Sequence, residues 1–213
     1  AVGGEDHCQY DDRDQQEGRG GGSGVGDVRP LLGKKTPCTG RELELGMLDA
    51  LYRQCAEEPA AKAVILKGAG GVGKSRVRVE LLRRIAQHEE PARVWLGRGD
   101  VMNAGSPFAM LAQAILAMLD LSGGEAEDVC RERLAARVAE RVPAEQQGRV
   151  AAFLGSMIGL PLRAEAGPEV CAAKEDALLL GDQHRRAFED FARAECSAGP
   201  VVLVLEDLHL GDL

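Results

Sequence analysis

The chain of 213 residues has few aromatic side chains: Phe, Trp and Tyr make up 3% of it, although 45% of its residues are hydrophobic. Its core must therefore be aliphatic and rich in alanine, which suits helices packed on a parallel sheet. The chain also lacks an excess of basic residues, because 26 Lys and Arg face 34 Asp and Glu and give a net charge of −8. Basic clusters of the kind that bind nucleic acids are missing, and we expect no nucleic-acid partner for this segment.

Long hydrophobic runs and cysteine motifs are missing as well. No apolar stretch approaches the roughly 20 residues that a membrane-spanning helix needs, and no charged and then apolar leader opens the chain. We therefore expect a cytoplasmic protein without a membrane partner. The six cysteines form no C-x-x-C pair and have no histidine at metal-ligand spacing, which predicts reduced, mostly buried thiols.

Glycine is abundant, and four of the 27 glycines lie in one short motif of the form G-x-x-x-x-G-K-S. The motif consists of Gly68, Ala69, Gly70, Gly71, Val72, Gly73, Lys74 and Ser75. Its glycines allow the backbone N–H groups to turn inward and bind phosphate oxygens. Lys74 would reach the β- and γ-phosphates of a nucleotide, and the Ser75 hydroxyl would bind Mg²⁺. The motif therefore predicts the phosphate-binding loop of a nucleoside triphosphatase.

A flexible glycine-rich turn is the alternative interpretation, and residues 18–26 provide such a stretch elsewhere in the chain. The flanks of the motif favour the phosphate loop. The apolar run 63–66 predicts a strand before it, and residues 75–85 have helical spacing after it. Strand, loop and helix is the context that the motif requires.

The remaining pattern predicts a polar segment followed by one α/β domain. Residues 1–30 contain too few apolar side chains to fold, which predicts a disordered linker. We expect the first helix over residues 41–55, with Thr39 as its N-cap and Glu42 as the capping-box partner. The further predicted helices cover residues 106–120, 125–141, 145–159 and 172–197, and the further strands cover residues 94–96 and 201–205. The fold class is thus a three-layer αβα parallel sheet of about three strands, with a helical insertion between the second and third strands.

The last predicted strand, Val201–Leu205, ends in two acidic residues, Glu206 and Asp207. In a parallel sheet they would lie at the same edge as the phosphate loop. Mg²⁺ prefers hard oxygen ligands, and a second carboxylate can orient or deprotonate an attacking water. By their positions at the strand end, Glu206 would bind the metal and Asp207 would orient or deprotonate the water. Alternatively, the two acidic residues merely cap a strand that faces solvent, but this strand is too apolar for an exposed edge of the sheet.

The segments TGRELELGMLDAL before the loop and VVLVLEDLHLGD at the acid pair resemble the AAA-type, STAND-class ATPase region of bacterial multidomain signalling proteins. Among these are serine/threonine protein kinases that carry an ATPase and helical repeats behind the kinase domain. The resemblance implies a domain over residues 31–213. It also implies that Gly40, Arg41 and Glu42 lie over the adenine and ribose, so that the nucleotide is ATP. Such ATPases usually have Asp before Glu at the strand end, which leaves the roles of Glu206 and Asp207 open to exchange.

The resemblance also implies further strands, a polar sensor and a lid beyond the acid pair, so we expect the chain to be part of a longer protein. The leading hypothesis is a Mg²⁺-dependent regulatory ATPase module whose partners are ATP and the other domains of its parent protein. Its ATP turnover would be measured in the full-length protein. A nucleotide-gated scaffold without hydrolysis is the second hypothesis. A small-molecule phosphotransferase is a weaker alternative, because the acid-ended strand and the Gly40–Glu42 segment argue against it. An origin-recognition-type ATPase is also weaker, because no basic winged helix supports it.

Overall fold

A computed structural model describes residues 40–58, 60–103, 107–163 and 167–210. The predicted disordered linker, residues 1–30, and the predicted N-cap Thr39 lie outside these ranges. The helices of the described part are α1 (Glu42–Glu57), α2 (Lys74–Ile85), α3 (Ala109–Met118), α4 (Glu127–Arg141), α5 (Ala144–Met157), α6 (Pro168–Glu175) and α7 (Ala177–Cys196). The strands are β1 (Arg93–Arg98) and β2 (Val201–Glu206), and short 3₁₀ turns cover Val101–Asn103 and Leu208–Leu210.

The two strands lie side by side in parallel, with Arg93 opposite Val201 and Arg98 opposite Glu206. A parallel pair needs a long crossover connection, which here contains α3 to α7. The predicted helical insertion between these strands is thus confirmed. Both strands end at the same edge of the sheet, where one further hydrogen bond runs from Gly99 N to Glu206 O over 2.8 Å.

Helix α3 lies very close to β1, and Gly97 makes this approach possible. A Cβ atom added at Gly97 would stand 2.1 Å from the backbone oxygen of Met110. No side chain fits into that space without moving the helix backbone away from the strand. The glycine therefore allows the close approach of α3 to the end of β1, where Arg98 lies opposite Glu206.

The main core lies between β1 and the helices α3, α4, α5 and α7. The scarce aromatic residues concentrate there: Trp95 of β1 stacks on Phe191 of α7, with ring centroids 5.7 Å apart, and meets Phe188 edge to face at 6.1 Å. Phe153 and Phe191 are fully buried. Helices α1 and α2 contact each other and enclose a second, smaller group of buried side chains that includes Leu45, Leu82 and Ile85.

A buried charge cluster joins the ends of several elements at the edge of the sheet where the strands begin. The Glu195 side chain is completely buried near the end of α7. Its carboxylate lies 3.1 Å from Arg93 Nε, 2.7 Å from Arg137 Nε and 3.8 Å from Arg141 Nε. Arg93 also donates to the carbonyl oxygens of Glu195 and Gly199. These contacts tie β1 and α4 to the end of α7.

Several expectations from the sequence are wrong. Cys171 and Cys196 are exposed instead of buried, and no residue of β2 is buried, although its apolar run predicts a strand too apolar for an exposed edge. Residues 63–66 form no strand: they lie in an unpaired stretch in which Val64, Ile65 and Leu66 are 49%, 65% and 43% exposed. The described sheet therefore has two strands instead of about three. The apolar run is short and stands between Lys62 and Lys67, and a strand without a paired neighbour gains no ladder hydrogen bonds.

The long helix predicted over residues 172–197 is in fact two helices that meet at Asp176. Asp176 has extended backbone angles, φ −131° and ψ 111°. Its side chain accepts hydrogen bonds from Leu178 N and Leu179 N over 2.9 and 3.2 Å. This is the geometry of an N-cap, which starts a new helix instead of continuing the old one.

Candidate functional site

The predicted phosphate loop leads directly into α2. Gly73 precedes the helix in the left-handed region, with φ +91°, and Gly71 also has a positive φ of +79°. A residue with a side chain is strained in this conformation, so these glycines allow the turn that brings the chain from the loop into the helix. Residues 68–72 and Ser75 are exposed. The loop is thus an open surface feature at the amino end of α2.

The loop presents unused backbone donors. The first internal hydrogen bonds of α2 run from the N–H groups of Arg76 and Val77 to Gly73 O, over 3.0 and 3.1 Å. Within the described ranges, no protein acceptor binds the N–H groups of residues 70–75. Free donors at a helix amino end, together with the helix dipole, favour an anion such as phosphate. This arrangement fits the polyphosphate that the motif predicts.

Lys74 folds back over its own loop. Its Nζ donates to Gly68 O over 2.8 Å and to Ala69 O over 3.0 Å. These two contacts hold the ammonium group against the first residues of the loop. A phosphate group would offer the lysine an anionic acceptor in place of two neutral ones, and the attraction between opposite charges would then add to the hydrogen bond.

The segment Gly40–Glu42 lies against the phosphate loop. Arg41 donates from Nη2 to Val72 O over 3.1 Å, and its Nη1 is paired with Glu44 Oε1 at 2.7 Å. The carboxylate of Glu42 accepts from Gly40 N over 3.0 Å. Hydrogen bonds from the backbone N–H groups of Glu42 itself and of Gly40 lower the pKa of the Glu42 carboxyl. The start of α1 and the loop are therefore one continuous surface.

Both oxygens of the Glu206 carboxylate contact arginines from neighbouring elements. Arg98, the last residue of β1, donates from Nη2 to Oε2 over 2.8 Å. Arg78 of α2 places Nε 3.2 Å from Oε1, and the Arg78 and Glu206 side chains are 10% and 11% exposed. The hydrogen bond to Glu206 raises the pKa of the Arg98 guanidinium. Glu206 is therefore held within the protein by two positive charges.

Asp207 is more accessible than its neighbour. Its side chain is 50% exposed, and Oδ2 lies 3.9 Å from Arg98 Nε. The backbone of Asp207 is in the left-handed region, with φ +53°, and its carbonyl accepts from Leu210 N over 2.8 Å. This bend turns the chain out of β2 and leaves the Asp207 carboxylate towards solvent.

The available oxygen donors suit Mg²⁺ better than a metal that needs a complete protein cage. Mg²⁺ keeps several waters and typically takes one or two protein oxygens together with substrate phosphates. The Ser75 hydroxyl and the Asp207 carboxylate are exposed oxygens of this kind. Over the described ranges, no group of three or more His, Cys, Asp or Glu side chains could hold a metal by itself.

The structure brings the predicted residues together in two groups. Segment 40–42 contacts the phosphate loop, and α2 contacts the acid pair through Arg78. In the part of the chain that the structure describes, no hydrogen bond or ion pair joins Lys74 or Ser75 to Glu206 or Asp207.

Two arginines of this site, Arg78 and Arg98, belong to no motif of the sequence. Arg98 is directly opposite Glu206 in the strand register, so a correct pairing of β1 with β2 could have found it. Arg78 lies one helical turn after Lys74, but its contact with a residue far along the chain leaves no local signal in the sequence.

Comparison with known protein families gives a match over most of the chain. The family model of the AAA ATPase domain matches residues 37–213. The chain therefore belongs to the AAA ATPase domain family, and its α/β region is an AAA-type P-loop ATPase region. No curated protein and no solved structure matches the chain. Among the described helices, none is both long and apolar enough to cross a membrane.

Proposed function

We propose that this chain is the Mg²⁺-dependent ATP-binding part of a regulatory ATPase in a bacterial signalling protein, attached in its parent to a serine/threonine protein kinase. Family membership supports the ATPase module. The observation that carries the nucleotide site is the open loop at the amino end of α2, where the N–H groups of residues 70–75 have no protein acceptor within the described part. We assign residues 31–213 to this ATPase domain. The kinase and signalling association rests on the sequence resemblance.

In this proposal the loop residues bind the phosphates through their backbone N–H groups, and Lys74 moves from the carbonyls of Gly68 and Ala69 to the β- and γ-phosphates. Residues Gly40, Arg41 and Glu42 border the adenosine, since Arg41 already joins this segment to Val72. The nucleotide would thus lie across the start of α1 and the loop.

Mg²⁺ would be bound by the Ser75 hydroxyl and by the acid pair. The metal would supply neutralisation of the negative charge that develops on the phosphates. Glu206, our metal candidate by position, is occupied by Arg78 and Arg98, whereas Asp207 is half exposed. The more open Asp207 is suited to orient or deprotonate a water, and it could take over the metal if the roles are exchanged.

The direct test is nucleotide binding by wild type and Lys74→Ala, measured by calorimetry with ATP and Mg²⁺. Loss of charge-assisted hydrogen bonds to phosphate should weaken ATP binding about tenfold to a hundredfold. Lys67→Ala is the matched control, because Lys67 is an exposed lysine of the same segment without a hydrogen bond or ion pair to the described residues. It should bind ATP like wild type. Equal affinity of wild type and Lys74→Ala would refute the site.

A nucleotide-gated scaffold that never hydrolyses ATP is the second candidate. The double contact of Glu206 with Arg78 and Arg98 favours it, because a carboxylate held by two guanidinium groups is less available to a metal or a water. Asp207→Asn in the full-length protein separates the two candidates. A hydrolase should lose ATP turnover by about a hundredfold or more and keep ATP binding. Unchanged turnover would refute hydrolysis through Asp207.

A further inference from the structure

Arg78 lies on α2 between the phosphate loop and the acid pair, and it contacts Glu206 of that pair. It follows Lys74 by four residues on α2, which places it about 6 Å along the helix axis on the same face. Its Nε is shielded from water, and the nearest negative charge is Glu206 Oε1 at 3.2 Å. A buried guanidinium without a counter-charge is costly, so Arg78 and Glu206 stabilise each other's position.

The same carboxylate also reaches β1. Glu206 Oε2 accepts from Arg98 at 2.8 Å, and Gly99 N donates to the Glu206 carbonyl at 2.8 Å. Arg78 of α2 and the end of β1 therefore both contact Glu206, the last residue of β2. Arg76, two residues before Arg78 on the same helix, has no hydrogen bond or ion pair from its side chain within the described ranges.

We infer that Arg78 is a positioning residue, which couples anion binding at the phosphate loop to the acid-ended strand β2 through its ion pair with Glu206. The inference rests on the proposed nucleotide site. No break in α2 separates Lys74 from Arg78, so a displacement of the loop on binding phosphate moves Arg78 with it. Glu206 follows its buried partner, and the Gly99 to Glu206 hydrogen bond transmits the change to β1.

Amide hydrogen exchange of the whole chain, with and without ATP and Mg²⁺, tests this coupling. In wild type, ATP should slow exchange in two places: the loop with α2, residues 68–85, and the strand ends, residues 97–99 and 204–207. In Arg78→Gln, ATP should still slow exchange over residues 68–85. The slowing over residues 97–99 and 204–207 should shrink by about fivefold or more, which is the lower end of typical allosteric coupling. Arg76→Gln should keep both effects.

Two further variants separate coupling from a loss of folding. Arg78→Lys retains the charge and should restore part of the slowed exchange at the strand ends. Glu206→Gln removes the partner and should abolish the same effect, and its combination with Arg78→Gln should add nothing further. Undiminished slowing at the strand ends in Arg78→Gln, or an additive double variant, overturns the coupling. If ATP slows no exchange over residues 68–85 in wild type, the proposed nucleotide site itself fails.

Discussion

Replacement of Glu195 by glutamine removes the buried carboxylate that faces Arg93, Arg137 and Arg141. Removal of one partner from a buried ion pair typically costs about 3 to 5 kcal/mol, because the remaining charge is left uncompensated. The three arginine side chains are 29%, 22% and 28% exposed, so water can partly hydrate them in the variant. We therefore expect a loss near the lower end of the range, about 3 kcal/mol of unfolding free energy.

Urea-induced unfolding measures this loss. With a slope of about 2 kcal/mol per molar urea, the midpoint of Glu195→Gln should fall by about 1.5 M. Glu140→Gln is the matched control: its carboxylate pairs with Arg137 at 3.0 Å but is 59% exposed, and exposed pairs contribute about 1 kcal/mol or less. If both variants shift the midpoint equally, the charge cluster does not tie β1 and α4 to the end of α7.

Two other predictions concern close packing and pH. Gly97→Ala should destabilise the protein by about 1 to 3 kcal/mol, since its Cβ would meet Met110 O. Gly148→Ala in α5, where a Cβ meets nothing within 4 Å, should stabilise the protein by up to about 1 kcal/mol. Thermal unfolding measures both variants, and destabilisation by both would contradict the packing argument. Burial lowers the pKa of His184 below its ordinary 6.5, so the unfolded state binds more protons and stability should fall as pH drops below about 6.5. Unfolding of His184→Leu should show a smaller difference between about pH 7.5 and 5.5, and an unchanged pH profile would refute this role.

Helical periodicity located the elements of the insertion well, because α3, α4 and α5 bury one face against the main core. The break at Asp176 was missed because its two flanking helices share an apolar pattern, although an aspartate inside a predicted helix is a recognisable cap signal. The run 63–66 has strand-forming residues, but strand formation depends on a partner that local sequence cannot provide. The same limit applies to the ion pairs of Glu206, which join residues far apart in the chain.

The charged groups of the candidate site have partners among the described residues of the protein itself. Lys74 donates to the carbonyls of its own loop, and Glu206 is shared by Arg78 and Arg98. A bound polyphosphate must replace the contacts of Lys74, so the net gain in free energy is smaller than the number of positive charges near the loop suggests. The backbone N–H groups of residues 70–75 have no such competing acceptors in the described part of the chain. Phosphate affinity should therefore depend more on the backbone geometry that Gly71 and Gly73 permit than on any single cationic side chain.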